Sequence, residues 1–186
     1  MENKEEKKNQ NEDRLLETRS ILISGEIDKD QADRFIKNIL ILDSISDAPI
    51  YVYINSPGGD VYSGFAIYDI IRYVKSPVFV VGSGLVASAA ALIYLSVDKA
   101  HRLSLPHSAY LIHQPLSQMK GVAVDIAIQA EKIEKLRNAL DSLIAEATGK
   151  ALEEVSKNTE RDYWLTSKEA LDYGIVGRIV TNRSEI

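Results

Sequence analysis

An α/β fold with largely parallel strand pairing is what this sequence predicts, on three observations. Short runs of β-branched and aliphatic residues alternate with stretches whose apolar positions recur every three or four residues. The junctions between them carry Gly, Asp and Ser, residues that turn a chain or cap a helix. Three strand-then-helix units follow one another, an order that places successive strands parallel.

The first strand is Ser20-Ile21-Leu22-Ile23-Ser24, closed by Gly25. Asp28 or Asp30 then caps a helix whose inward positions are Ala32, Phe35, Ile36, Ile39 and Leu40. Residues 49–55 form a second strand, with Ile50, Val52 and Ile54 on one face and Tyr51 and Tyr53 on the other. Ser56-Pro57-Gly58-Gly59-Asp60 reads as a turn that opens a helix with Val61, Phe65, Ile70 and Val74 inward. A third strand, residues 77–81, leads through Gly84-Leu85-Val86-Ala87 to Ser88 and a helix of small and apolar residues. His101, between Lys99 and Arg102, reads as a surface strand entry, and His107 follows Pro106 in a turn. Residues 109–112 make another strand, ending at His113-Gln114-Pro115.

Residues 121–149 differ in kind. Ile126, Ile133, Leu140 and Ala147 fall seven residues apart, with Leu136 and Leu143 as a second stripe. A helix of about 25 residues spans nearly 40 Å. It either lies along the body or projects and pairs with another copy, and the heptad spacing favours projection. Gly149 is its C-cap. Thr166-Ser167-Lys168-Glu169 is a capping box for a short helix that Gly174 stops, and residues 175–180 return as a strand.

Composition bounds the function. With 186 residues, 45% of them hydrophobic, the chain fits one domain with a real core. Acidic residues outnumber basic ones by 27 to 22 and no basic stripe appears, which argues against nucleic acid as a partner. The absence of cysteine excludes disulfides and a thiol nucleophile. No apolar run reaches membrane-spanning length. Residues 1–18 are a charged leader expected to fray in solvent, with no apolar segment of a signal peptide, and residues 19–186 are the folded domain. A cytoplasmic location is the expectation.

Ser88 is the first candidate for chemistry. At a strand-to-helix junction its hydroxyl can attack a carbonyl while unpaired helix N–H groups receive the developing negative charge. Its other reading is a serine in a tightly packed Gly/Ala turn. His113 closes an apolar strand, where a neutral imidazole can face a cleft as general base or simply be hydrogen-bonded at the sheet edge. Asp162, between Arg161 and the aromatics Tyr163 and Trp164, is either a partly buried carboxylate that orients an imidazole or part of a surface turn. Ser56-Pro57-Gly58-Gly59 offers backbone amides without Cβ obstruction, suited to an oxyanion or other anion. Metal binding has no support, because no histidine pair stands at helical spacing with carboxylates beside it.

Taken together, these segments resemble the proteolytic subunit of the Clp protease (ClpP). The residues that carry the resemblance are Tyr53-Ile54-Asn55-Ser56-Pro57-Gly58-Gly59, Ala87-Ser88, Leu105-Pro106, Ile112-His113-Gln114-Pro115, Thr159-Glu160-Arg161-Asp162 and Leu165-Thr166-Ser167-Lys168-Glu169-Ala170. They stand in family order from about residue 21 to residue 183.

The resemblance implies a ClpP/crotonase-like fold of repeated β-β-α units with a projecting handle helix over about residues 121–148. It implies a serine endopeptidase with a Ser88, His113 and Asp162 triad and an oxyanion hole from the N–H groups of Gly59 and Ala89. It implies two stacked seven-membered rings around a chamber, with Leu140 and Leu143 in the handle contact and Glu160 and Arg161 linking ring contact to triad alignment. Unfolded polypeptide would arrive from a hexameric AAA+ ATPase, which uses the ATP, so that this chain needs no cofactor. That ATPase would dock in clefts to which Tyr51, Tyr53, Tyr73, Leu103 and Leu105 are similar in character.

Four features depart from the family pattern: Ala89-Ala90 where Met-Gly is usual, Leu85-Val86 where Gln-Ala is usual, Ser117-Gln118 where Gly-Gly is usual, and a leader unmatched in the family. They leave two rivals to a self-sufficient peptidase. One is a catalytically silent ring subunit sharing a mixed complex with a ClpP paralogue. The other is a crotonase-type acyl-CoA enzyme, which has no need of the Ser88, His113 and Asp162 set.

Overall fold

The computed structural model describes residues 14–186. Seven strands form one sheet, with β1 (Ser20–Ile27), β2 (Ile50–Gly59), β3 (Val78–Ala87), β4 (Arg102–Ser104) and β7 (Arg178–Ile179) in that spatial order. All of these pairs are parallel. β5 (Ala109–Ile112) joins β3 in parallel, and β6 (Tyr163–Thr166) runs antiparallel to β5. The helices are α1 (Lys29–Ile45), α2 (Val61–Tyr73), α3 (Ala89–Tyr94), α4 (Ala123–Thr148), α5 (Leu152–Asn158) and α6 (Ser167–Tyr173).

The three long strands bend together, and the bend builds the site. The β1/β2 register shifts between Ser24 and Glu26, and the β2/β3 register shifts between Ile54 and Ser56. Gly25 and Gly84 both sit at φ +82°, which glycine adopts without a Cβ penalty. Asn55 holds the corner, its Oδ1 accepting the Leu85 N–H at 3.1 Å. Before the bend β3 pairs with β4, and after it residues 85–87 pair with β5. The strands therefore run on past the points where hydropathy ends them: β3 reaches Ala87, and Ser56-Pro57-Gly58-Gly59 is the end of β2 rather than a separate turn.

Helix ends are set by side chains. Asp28 is the cap of α1, accepting the Gln31 N–H at 2.7 Å, and Asp60 caps α2 through the Ser63 N–H at 2.7 Å. The capping box of α6 forms as expected, and the Thr166 backbone N–H holds the Glu169 carboxyl below the usual carboxylate range. Gly149 and Gly174 end α4 and α6 in the left-handed conformation.

The core lies between sheet and helices, where Ile23, Ile39, Ile54, Ile67, Ile93 and Tyr94 are fully buried. Each such aliphatic contributes about 1.5–3 kcal/mol on leaving water. The inward face of α2 is Ser63, Gly64, Ile67 and Ile71, with Val61, Phe65, Ile70 and Val74 half-buried on its flanks. Small residues take the deepest positions because α2 packs closely on α3: a Cβ on Gly64 would stand 3.2 Å from that of Ala89.

Three further expectations change. The C-terminal strand is only Arg178–Ile179, since the Val176 N–H is spent on the Ala170 carbonyl at the end of α6 rather than on the ladder. The expected leader ends at residue 18; residues 1–13 lie outside the described residues, but residues 14–17 form a helical turn and Leu16 packs on the core. His101 stands half-buried at the entry to β4, its ring 4.2 Å from that of Phe79. Arg102 is buried, its guanidinium donating to the carbonyls of Ala147 (2.8 Å), Gly174 (3.2 Å) and Ile175 (3.2 Å).

Arg102 thus ties the C-terminal ends of α4 and α6, whose last carbonyls have no helical partner. Replacing it with Met keeps the bulk and strands three acceptors. The expected cost is on the order of 3 kcal/mol or more. A urea midpoint at fixed protomer concentration checks it, and a midpoint equal to wild type would show the carbonyls are satisfied otherwise.

Candidate active site

Ser88 stands where the bent end of β3 meets α3, at φ 55° and ψ −123°. A non-glycine residue held there costs about 1–3 kcal/mol and persists only when its surroundings fix it. Two contacts fix it: the Ser88 N–H donates to the Leu111 carbonyl on β5 at 2.9 Å, and Gly58 presses from β2. A Cβ on Gly58 would lie 2.6 Å from the Ala87 oxygen, 2.7 Å from Ser88 Cβ and 2.9 Å from the Ala89 nitrogen. Only glycine admits that approach. The side chain of Ser88 makes no cap bond to its own helix, so its hydroxyl is turned to another partner.

That partner is His113. Its Nε2 lies 2.9 Å from Ser88 Oγ and its Nδ1 lies 3.1 Å from Asp162 Oδ1. A carboxylate only accepts, so Nδ1 carries a proton and Nε2 is left to accept the serine hydroxyl proton. β5 and β6 set this spacing, pairing Ile112 with Tyr163 next to the two residues concerned. The structure brings Ser88, His113 and Asp162 into one hydrogen-bonded row from three segments of the chain.

Asp162 combines the two readings of the sequence, orienting the imidazole from an exposed position. His113 is largely covered, at 13% side-chain exposure, whereas Asp162 is 61% exposed. Neither neighbouring aromatic covers it: the Tyr163 ring packs 5.7 Å from that of Tyr173, and Trp164 stands mostly in solvent. Glu160 and Arg161 are exposed beside it.

An apolar pocket opens on the row, lined by Val61, Ala89, Leu92, Ile112, Pro115, Leu140 and Ile144 together with Ser88 and His113. Leu140, expected in the ring contact, is half-buried in the wall of the pocket within this chain, because the C-terminal half of α4 packs on the body. Leu143 is half-buried on the same part of the helix. Sequence reasoning missed Ile144 and Leu92 as pocket residues, although both stand one turn from residues it had named.

Gly59 lies against Ile27, while Gly58 N–H donates to Ser56 Oγ at 3.0 Å. Of the docking-cleft residues, Leu103 is fully buried in a small cluster with Val81 and Val180, since β4 lies between β3 and β7, so its side chain meets no outside partner. Tyr53 packs on that cluster, Tyr51 stacks on Phe79 at 5.5 Å, and Tyr73 and Leu105 are exposed. Among the described residues no cluster of His, Asp and Glu could hold a metal ion, and no helix is long and apolar enough to cross a membrane.

A bent parallel sheet that presents a strained serine to a histidine–carboxylate pair defines an α/β protein with serine-hydrolase geometry. The Clp protease family pattern matches residues 3–183. ATP-dependent Clp protease proteolytic subunit 2 of Treponema denticola is 47% identical, covering 100% of this chain and 96% of that protein. Proteolytic subunit 2 of Treponema pallidum is 50% identical over 93% of this chain and 87% of its own length. The solved structure of a point mutant of ClpP1 from Listeria monocytogenes superposes with a TM-score of 0.87 at 46% identity, covering 92% of this chain and 96% of that one. The chain belongs to the Clp protease family and is a proteolytic subunit of the serine endopeptidase type. The match begins at residue 3, so the charged leader falls within the family's span and not outside it.

Proposed function

We propose that this chain hydrolyses peptide bonds of unfolded polypeptides through Ser88, His113 and Asp162. The observation that carries the reading is the row of contacts at 2.9 and 3.1 Å. Ser88 Oγ attacks the scissile carbonyl as His113 Nε2 takes its proton. The bond to the amine then breaks, His113 returns the proton to the leaving nitrogen, and water repeats the sequence on the acyl-enzyme. Asp162 holds the imidazole in the tautomer this needs and stabilises its charged form. The N–H groups of Ala89, first in its helix, and Gly59 face the developing oxyanion; Gly58 has already committed its own N–H to Ser56. The apolar pocket beside Ser88 takes an uncharged side chain of the substrate. These steps require no cofactor in this chain.

The chain is proposed to work in the cytoplasm in two stacked heptameric rings, fed by a hexameric AAA+ Clp ATPase that consumes the ATP. Relatives named proteolytic subunit 2, and others named subunit 3, fit a chain that shares its assembly with a paralogue. The intact row favours an active subunit over a silent one.

A fluorophosphonate probe tests the reading directly, because it reacts only with an activated serine. The purified chain, its native mass taken in parallel, is expected to label at Ser88 and to lose the label in Ser88→Ala. Labelling that survives in the variant would place the nucleophile elsewhere, and an assembled wild-type particle that never labels would favour the silent subunit.

A further inference from the structure

We propose that Asp141 is a positioning residue, which through Thr159 sets the alignment of His113 with Asp162 from the long helix. The inference rests on the triad proposed above and adds a group outside it. Asp141 is 2% exposed and stands in the interior of α4, where aspartate is a poor helix former. A buried carboxylate is costly unless it is bonded, so its bonds identify its role.

Asp141 Oδ1 accepts a hydrogen bond from Thr159 Oγ1 at 2.7 Å. The same hydroxyl lies 3.1 Å from the Val155 carbonyl and 3.4 Å from that of Ser156. It has one proton to give, and the charge-assisted bond to the carboxylate is the shortest and strongest. Thr159 is itself fully buried, and its carbonyl accepts the Gln114 backbone N–H at 2.7 Å. Gln114 Nε2 then donates to the Glu160 carbonyl at 2.7 Å. Two rungs therefore tie residue 114, next to His113, to residues 159 and 160, just before Asp162.

The link reaches back along α4. Arg137, one turn before Asp141, donates from Nη2 to the Ser156 carbonyl at 3.3 Å. Its Nε faces Asp141 Oδ2 at 3.9 Å, too far for a hydrogen bond, and among the described residues neither atom has a hydrogen-bond partner. Arg137 and Asp141 thus grip the end of α5 from one face of α4. A displacement of α4 moves Thr159, and with it the two rungs that space His113 from Asp162.

Near-isosteric variants test this with little change of volume. Thr159→Val removes only the donor, and Asp141→Asn keeps an acceptor but not its charge. On assembled Thr159→Val particles, kcat for a short fluorogenic peptide is expected to fall about ten- to a hundredfold with KM within about twofold. Asp141→Asn should fall less, the double variant should be no worse than Thr159→Val alone, and Thr159→Ser should restore turnover. A crystal structure of Thr159→Val should show the His113–Asp162 contact lengthened past about 3.5 Å. An unchanged contact with unchanged kcat overturns the proposal. So does a Thr159→Val chain that fails to assemble and is not rescued by Thr159→Ser, because the hydroxyl bond is then not what the position supplies. A lengthened contact in a protein whose wild-type turnover survives Ser88→Ala supports the mechanical link and removes the triad reading instead.

Discussion

Replacing Ser88 with alanine is expected to lower kcat for peptide hydrolysis by a factor on the order of 10⁵–10⁶, leaving only what binding and the oxyanion donors supply. The fold should not notice. The Ser88 side chain makes no cap bond, and His113 keeps its contact with Asp162 when the serine oxygen is gone. Alanine inherits the same strained backbone, so the melting temperature should stay close to wild type. Ser88→Gly separates strain from chemistry. At φ 55° and ψ −123° glycine has no Cβ penalty, so this variant should be as inactive as alanine yet melt higher, by the equivalent of about 1–3 kcal/mol. Peptide turnover and thermal melts on the three proteins decide both points. Residual turnover within tenfold of wild type in Ser88→Ala would remove the nucleophile assignment. A glycine variant no more stable than alanine would show that the junction stores no strain.

How the sequence encodes this site can be judged residue by residue. The small residues around Ser88 and the strand end at His113 are legible, because alternation, a helix start and a polar residue at a strand terminus are local signals. The bend is not. Hydropathy ends the third strand at Val81, and Gly82-Ser83-Gly84 looks like a turn, but neighbouring strands bend at the same level and keep the ladder running to Ala87. The buried face of α2 is misjudged for a related reason: close packing on α3 selects Ser63 and Gly64, which hydropathy ranks below Phe65.

Long-range partners account for the rest. Arg102 sits between His101 and Leu103 and reads as a surface cation, but its acceptors come from residues 45, 72 and 73 positions further along the chain. The exposure of Asp162 follows from Tyr163 turning to Tyr173, a contact no local pattern announces. The triad is legible mainly through resemblance, since nothing in spacing alone joins residues 88, 113 and 162.

Placing an aspartate at Ile126 is expected to halve the native mass of the assembled particle and to lower peptide turnover with it. The long helix has two different halves. From residue 133 onward it packs in part on the body, whereas residues 123–132 are exposed on every side. That projecting half nevertheless carries Val124, Ile126 and Ile128, at 69%, 40% and 52% exposure. Val124 and Ile128 stand one turn apart on one side of the helix and Ile126 on the other, along the heptad stripe. The protruding half thus offers apolar surface that an assembly covers, and in the proposed particle the cover of the Ile126 stripe is the same helix of a subunit in the facing ring. Two-fold symmetry duplicates each substitution, so Ile126→Asp would bury two unpaired carboxylates per contact, each costing several kcal/mol. Leu140 lies on the same heptad stripe but lines the pocket beside Ser88, so Leu140→Asp should abolish turnover while leaving the mass unchanged. Native mass spectrometry with a peptide assay on both variants separates the two halves. If Ile126→Asp keeps the full mass, this helix is not the contact between rings. If Leu140→Asp also splits the particle, the stripe acts as one continuous seam and the pocket wall is shared with it.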